Sequence, residues 1–228
     1  MSDFDLYLDS LVGSWQALAV PHADAEVVRE ERFVASVFRS HPVFNNAILL
    51  DPRALPEVRS RYRGAGPYAV WSAAPPCARA LEDQGFHRAE QTYPMVCPLD
   101  GRVSGRASPV IPVESVAVED VAELNQVGPD LLLGEPGVRA FATAGREAGA
   151  VLIEVGSDVN LSFVATRPDR RRQGLASAVV SYALEQARAD GFHSSSLQAT
   201  EMARGVYQRL GYAGVGVWQE WTPPAGRT

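Results

Sequence analysis

The densest chemistry in the chain lies in residues 164–176, Val-Ala-Thr-Arg-Pro-Asp-Arg-Arg-Arg-Gln-Gly-Leu-Ala. A strand-like run enters a charged turn, and an amphipathic pattern starts at Gly174. The first turn of a helix carries backbone N–H groups that have no partner inside the helix. They point outward along the positive end of the helix dipole, and a pyrophosphate fits such a cradle. Gly174 lacks the Cβ that would hold a ligand away, and Ala176 is nearly as small. Arg170, Arg171 and Arg172 bring positive charge to the same spot. The bland alternative is a basic turn that happens to precede a core helix.

Other reactive residues form no comparable group. Cys77 and Cys97 make no Cys-x-x-Cys and no Cys/His cluster, so neither a zinc site nor a redox pair is expected. His22, His41, His87 and His193 are scattered, with no nucleophile or metal partner in sight. Ser194-Ser195-Ser196 lacks the Gly-x-Ser-x-Gly frame of a nucleophile elbow. Trp15, Trp71, Trp218 and Trp221 are candidates to line an acceptor pocket, although such residues more often pack cores. Asn45 and Asn46 interrupt an apolar strand, where they either reach a cleft or end the strand.

Periodicity gives the elements that must position the turn. Residues 138–143, 149–155 and 159–166 read as three strands of an antiparallel meander. A helix over 174–190 follows, with Leu175, Val179, Ala183 and Ala187 on one face and Val180 and Leu184 beside them. Gly191 stops it. A strand at 195–200, a helix at 203–210 stopped by Gly211, and a strand at 214–221 complete this part. Ahead of the meander, a strand is expected at 110–113, a helix at 119–127 and a loop at 129–137. The earlier part opens with a helix over 3–19, ended by Pro21. Strands follow at 32–38 and 44–50, then a helix at 53–63 and a strand at 68–72. A helix at 76–84 ends in Gly85 before Phe86, and a strand at 91–98 closes the part. Gly101, Ser104, Gly105, Ser108 and Pro109 mark 101–109 as a linker. The expected domains are therefore 1–100 and 110–228. Leu81 to Phe86 and Leu210 to Tyr212 both place Gly-aromatic after a helix, a faint internal echo.

The 228 residues, 46% hydrophobic and 21% charged, suffice for one large domain or two small halves with a sizeable core. A net charge of -6 argues against nucleic acid as a partner, because phosphates would repel it. No apolar run reaches the roughly 18 residues that span a bilayer. The N-terminus has no basic signal-peptide region, and two thiols suit a reducing compartment. A soluble, cytoplasmic protein with no membrane partner is expected, and a homo-oligomer is left open.

Arg171-Arg172-Gln173-Gly174-Leu175-Ala176 matches Gln/Arg-x-x-Gly-x-Gly/Ala, and here the sequence resembles the GNAT superfamily of acetyl-CoA-dependent N-acetyltransferases. Val164 to Pro168 is a common lead-in. Ser195 to Met202 is similar to the fifth strand and its exit. Ala203 to Tyr212, with Tyr207 and the Leu-Gly-aromatic ending, is similar to the following helix. The resemblance covers 110–221 in the expected order. No such loop occurs before residue 105, so the first part resembles the degenerate N-terminal half of two-half members. The implied fold is α/β (α+β): a mixed, mostly antiparallel sheet flanked by helices.

The resemblance implies that acetyl-CoA is a co-substrate held by Phe163, Val164, Ala165 and Thr166 along a strand edge. Arg171, Arg172, Gln173, Gly174, Leu175, Ala176 and Ser177 would hold its pyrophosphate. No metal is needed. A backbone N–H near Val164 would meet the oxyanion, and Tyr207 would protonate the leaving thiolate, since a phenol stays protonated at neutral pH. Many members place a glutamate base on the fourth strand, and residues 159–166 hold no carboxylate. Glu154 and Glu201 are the candidate bases, alongside a water chain. The acceptor is an unidentified amine of a small molecule or peptide. The alternatives are an O-acceptor, another acyl group, or a noncatalytic acyl-CoA sensor.

Overall fold

The computed structural model describes residues 2–100, 111–132 and 136–224. The expected linker 101–109 lies outside them. In chain order the elements begin with α1 (Asp3–Ala19), β1 (Ala25–Arg29), β2 (Phe33–Phe38), β3 (Asn46–Leu49) and α2 (Leu55–Arg61). Next come β4 (Ala69–Ser72), α3 (Pro75–Asp83) and β5 (His87–Pro98). Then follow β6 (Val113–Val116), α4 (Val118–Asn125), β7 (Val138–Thr143), β8 (Ala148–Val155), β9 (Asp158–Thr166) and α5 (Leu175–Ala189). The last are β10 (Ser194–Thr200), α6 (Glu201–Arg209), β11 (Ala213–Gly214) and β12 (Trp218–Thr222). Short 3-10 turns at Pro42–Phe44, Pro52–Ala54 and Pro168–Arg170 each start on a proline, whose fixed φ suits a first helical position.

The chain forms two compact units, each drawn from two segments. The larger joins Met1–Leu18 to Pro94–Val215, and the smaller joins Ala19–Tyr93 to Gly216–Thr228. These differ from the consecutive parts 1–100 and 110–228. Helix α1 groups with the later segment, and β12 with the earlier one, because strand pairing and packing across long separations set the grouping.

In the smaller unit, β1, β2 and β3 are antiparallel neighbours, and β3 runs parallel to β4. Strand β12 pairs antiparallel with β4 and with residues 87–92 of β5. Helices α2 and α3 bury Leu55, Val58, Cys77 and Leu81 in one cluster with Phe33, Leu49 and Trp221.

In the larger unit, β6, β7, β8 and β9 form an antiparallel meander, and β9 runs parallel to β10. The other neighbour of β10 is β5, which pairs antiparallel with β11 at Val96 and Met95. Helix α5 packs on the meander through Val179, Val180, Ala183, Leu184 and Ala187, all fully buried. This is the predicted stripe, except that Leu175 at its open end is half-buried. Burying each Val or Leu contributes about 1.5–3 kcal/mol. Helix α1 buries Tyr7, Leu8, Val12, Trp15 and Leu18. Gly13 permits its close approach, since a Cβ there would meet a methyl of Val155.

Within each unit the strand pairing is mixed and mostly antiparallel. Among the described residues, no helix is long and apolar enough to cross a membrane. Nor, among the same residues, is any group of three or more His, Cys, Asp or Glu arranged to hold a metal ion.

Candidate functional site

The site starts where two strands part. Strands β9 and β10 pair at Asp158↔Ser194, Val159↔Ser195 and Asn160↔Ser196, and the register stops there. Residues 158–161 are buried, whereas Ser162 through Thr166 are half-buried. The second half of β9 therefore keeps β8 on one side and is open on the other. The β8 pairing is itself irregular. Gly149 faces Ala165 and Val151 faces Ser162, so Ala150 opposes both Phe163 and Val164. This is a β-bulge, which bends the strand and leaves a residue outside the ladder. Phe163 carries the bend with φ 54°. That left-handed conformation costs an L-residue about 1–2 kcal/mol. Asn125 at the end of α4 donates to the Phe163 carbonyl at 2.9 Å.

The open strand leads into the charged turn. After Pro168–Arg170, Arg171 is extended, Arg172 has φ 62° and Gly174 has φ 81°. Left-handed residues in a turn are backbone of the kind that can present N–H groups to an anion. Gly174 is the N-cap of α5, and no side chain caps that helix end. Its first-turn N–H groups are thus available to a ligand. The three arginines divide in their engagement. Arg170 pairs with Glu147 at 3.3 Å, while Arg171 donates to the backbone carbonyl of Thr166 at 3.4 Å. Arg171, Arg172 and Gln173 are exposed.

A strand-to-helix turn in the smaller unit does carry a side-chain cap. There too an antiparallel strand, β3, runs parallel to its next neighbour and leads through a 3-10 turn into a helix. Asp51 caps that turn, accepting from the Arg53 backbone N–H at 2.8 Å, and it also holds the Arg53 guanidinium. The Arg53 side chain lowers the Asp51 carboxyl to about 2, so it stays an anion.

The sequence matches the model of the Acetyltransferase (GNAT) family over residues 61–212. The chain belongs to this family. Solved GNAT structures share its fold. A GCN5-related N-acetyltransferase from Kribbella flavida superposes with a TM-score of 0.71 at 18% identity, over 96% of each chain. A putative GNAT-family acetyltransferase from Novosphingobium aromaticivorans gives 0.61 at 18% identity, covering 96% of this chain and 99% of that one. A tandem GNAT protein from the clavulanic acid biosynthesis pathway gives 0.56 at 14% identity, covering 94% and 88%. No curated protein matches the chain. What these matches show is an α+β GNAT fold with a mixed, mostly antiparallel sheet. They do not show a tandem pair of such folds.

In GNAT terms, the loop and strand residues read from sequence come together. Phe163 to Thr166 form the open edge, and Arg171 to Ser177 form the turn and helix start that continue it. Tyr207 sits on α6 and is 7% exposed. Burial pushes its hydroxyl up to about 12, so it is protonated throughout the neutral range. Its ring meets Tyr212 edge-on at 5.7 Å, and the Tyr212 hydroxyl shares a 2.7 Å hydrogen bond with Ser195.

The candidate bases fare differently. Glu201 is exposed and opens α6, with the Arg204 guanidinium at 4.0 Å, so it belongs to a helix rather than to a strand exit. Glu154 lies across from Val159, toward the opposite end of β8 from the bulge, and pairs with Arg139 at 3.3 Å. The structure does not bring Glu154 to the open edge of β9. Trp15, Trp218 and Trp221 are buried. The Trp71 indole donates to Asn46 at 3.1 Å. Asn45 accepts from the Phe38 backbone at 2.7 Å and donates to the Ala65 carbonyl at 2.7 Å. These two asparagines tie their own unit together.

Sequence reading did not foresee that Asp158 and Asn160 are buried at the start of the split, with half-buried Ser162 beside them. Asp158, raised from the ordinary carboxylate range by burial, accepts from Ser194 at 2.5 Å. Ser162 donates to Asn160 at 2.7 Å, and Asn160 donates to Ser10 of α1 at 3.3 Å. Period-two polarity at 158, 160 and 162 was the available signal.

Proposed function

We propose that this GNAT protein moves the acetyl group of acetyl-CoA onto an amine of a small molecule or peptide. One observation carries the reading: the open, bulged edge of β9 leads through the charged turn to a helix N-terminus whose N-cap, Gly174, makes no side-chain cap. Strand edge and helix end offer, in order, what the co-substrate requires. Backbone groups of Phe163 to Thr166 pair the amide-bearing pantetheine arm as a missing strand. The N–H groups from Gly174 to Ser177, with Arg171 and Arg172, hold the pyrophosphate.

The amine nitrogen attacks the thioester carbonyl carbon. A C–N bond forms, and the carbonyl π electrons move to oxygen. The Val164 N–H receives that oxyanion. Collapse restores the carbonyl and breaks the C–S bond. Tyr207 gives its proton to the thiolate, for which a phenol held near 12 is suitably protonated. The nitrogen, cationic after attack, loses a further proton as the amide forms, and that proton returns through water to the Tyr207 phenolate. An alkyl amine is mostly protonated at neutral pH, so a proton leaves before attack. Water at the open edge takes it, and Glu201 is the carboxylate candidate to pass it to solvent. Holding thioester and amine in register supplies much of the rate, because the thioester is already reactive.

The smaller unit is proposed to be a degenerate GNAT-like copy that binds no acetyl-CoA. The shared strand succession and the Gly-aromatic ending after α3 and α6 support that reading. In this reading the Asp51 carboxylate occupies the Arg53 N–H that an anionic ligand would otherwise use.

A noncatalytic acyl-CoA sensor is favoured by one observation, the absence of a carboxylate from residues 159–166. The test is a panel of amines, aminoglycosides and peptides with acetyl-CoA, read by thiol release. Acceptor-dependent thiol supports the enzyme. Tight acetyl-CoA binding with no thiol from any acceptor supports the sensor.

A further inference from the structure

The Phe163 carbonyl and the Val164 N–H belong to one peptide unit. No cis peptide occurs among the described residues, so this C=O and N–H point in opposite directions. Whatever grips the carbonyl therefore aims the N–H. Asn125 grips it. The Asn125 side-chain amide donates to two carbonyls, Val121 at 2.9 Å and Phe163 at 2.9 Å. The first bond ties the side chain to its own helix, one turn back. The second reaches the bulge from that fixed base. Both amide hydrogens are then used. Helix α4 is itself firmly seated. Val118, Val121 and Ala122 are buried, and a Cβ on Gly149 would come within 3.0 Å of Leu124 and Val121.

We propose that Asn125 is a positioning residue for acetyl transfer, locking the Phe163–Val164 peptide with its N–H aimed at the oxyanion. The proposal rests on the acetyltransferase reading above. Phe163 occupies a conformation that an L-residue leaves when nothing holds it. The Asn125 bond opposes that relaxation. It also polarises the peptide: a donor on the C=O makes the N–H of the same unit a stronger donor. Both effects act where negative charge develops, so they favour the transition state over bound acetyl-CoA.

Two variants test it. Asn125→Leu removes the donor, and Asn125→Asp keeps the shape but cannot donate while ionised. Removing a whole oxyanion donor costs about 10²–10³ in kcat, and misaiming one should cost about 10- to 100-fold. The KM for acetyl-CoA should stay unchanged in both variants, the signature of an interaction made in the transition state. The kcat of Asn125→Asp relative to wild type should recover as pH falls and its carboxyl gains a proton to donate. The backbone ¹⁵N resonance of Val164 should move in both variants, independently of turnover. Unchanged kcat, or kcat and KM lost together with melting temperature, would overturn the proposal. An unmoved Val164 resonance would overturn it as well. If the wild-type protein released no thiol with any acceptor, the acetyltransferase reading would fail, and the Val164 resonance alone would decide whether Asn125 holds the peptide.

Discussion

Replacing Gly174 with alanine should separate folding strain from binding strain. Gly174 has φ 81° and ψ 1° at the head of α5. A Cβ in this region costs about 1–2 kcal/mol. The preceding turn, Arg167 to Gln173, is exposed, so little packing forces the variant to keep it. In the free protein the turn should relax, and acetyl-CoA must then restore it. If the whole cost falls on binding, affinity drops about 5- to 30-fold. If part remains in the free fold, each 1 kcal/mol lowers the melting temperature by about 2–4 °C for a chain of this size. Two controls calibrate the split. Gly156 at φ 57° and Gly191 at φ 90° face open space where a Cβ would sit, so alanine there adds backbone strain alone. Gly156→Ala and Gly191→Ala should lose thermal stability and leave acetyl-CoA affinity intact. Calorimetric titration of acetyl-CoA and scanning calorimetry on all three variants supply the numbers. A Gly174→Ala protein that melts lower, like the controls, and binds acetyl-CoA as tightly as wild type would refute a cradle at this turn.

Three further outcomes are expected. Tyr207→Phe should lower the thiol-release kcat by about 10²-fold or more while acetyl-CoA affinity holds. Because the Tyr207 hydroxyl sits near 12, this residue should impose no alkaline limb on the rate below about pH 10, and an alkaline limb near neutrality that vanishes in Tyr207→Phe would count against its role. Titration should give one acetyl-CoA per chain, and a second equivalent would contradict a capped Asp51 turn. Asp158, raised by burial, binds its proton more readily folded than unfolded. Its contribution to stability is full below the ordinary carboxylate range and is lost as pH rises through the raised one. Asp158→Asn should therefore flatten the melting temperature across that window, and an unchanged pH profile would show that the carboxyl is not strained there.

Local pattern made much of this molecule legible before any coordinates. The stripe from Val179 to Ala187 fixed one helix face, and the meander from Val138 to Thr166 appeared with boundaries within a residue. Pattern failed where geometry is non-local. Strand β1 was missed because Ala25-Glu26-Val27-Val28-Arg29 is short and only half-buried, so it shows little alternation. The run 214–221 reads as one strand, but β11 and β12 are separate, because Gly214 and Gly216 interrupt it and each piece pairs with a different stretch of β5. Glu154 looks close to the site because it lies near β9 in sequence. Antiparallel register sends it toward the wrong end, and register is invisible until the turn and bulge are known. The bulge left no trace beyond ordinary residues at 163 and 164. Asn125 had no signal either, since an asparagine at a helix end is commonplace.

Strand β12 carries a consequence for how the chain comes together in time. It fills the place between β4 and β5, yet it is encoded after the whole segment Pro94–Val215. During synthesis, the earlier strands of the smaller unit must wait with that gap open, exposing backbone edges that invite mispairing. The larger unit can use α1 and its own strands before β12 emerges. Closing the smaller unit is thus a late event, and any delay in chain release or chaperone supply should be felt there first.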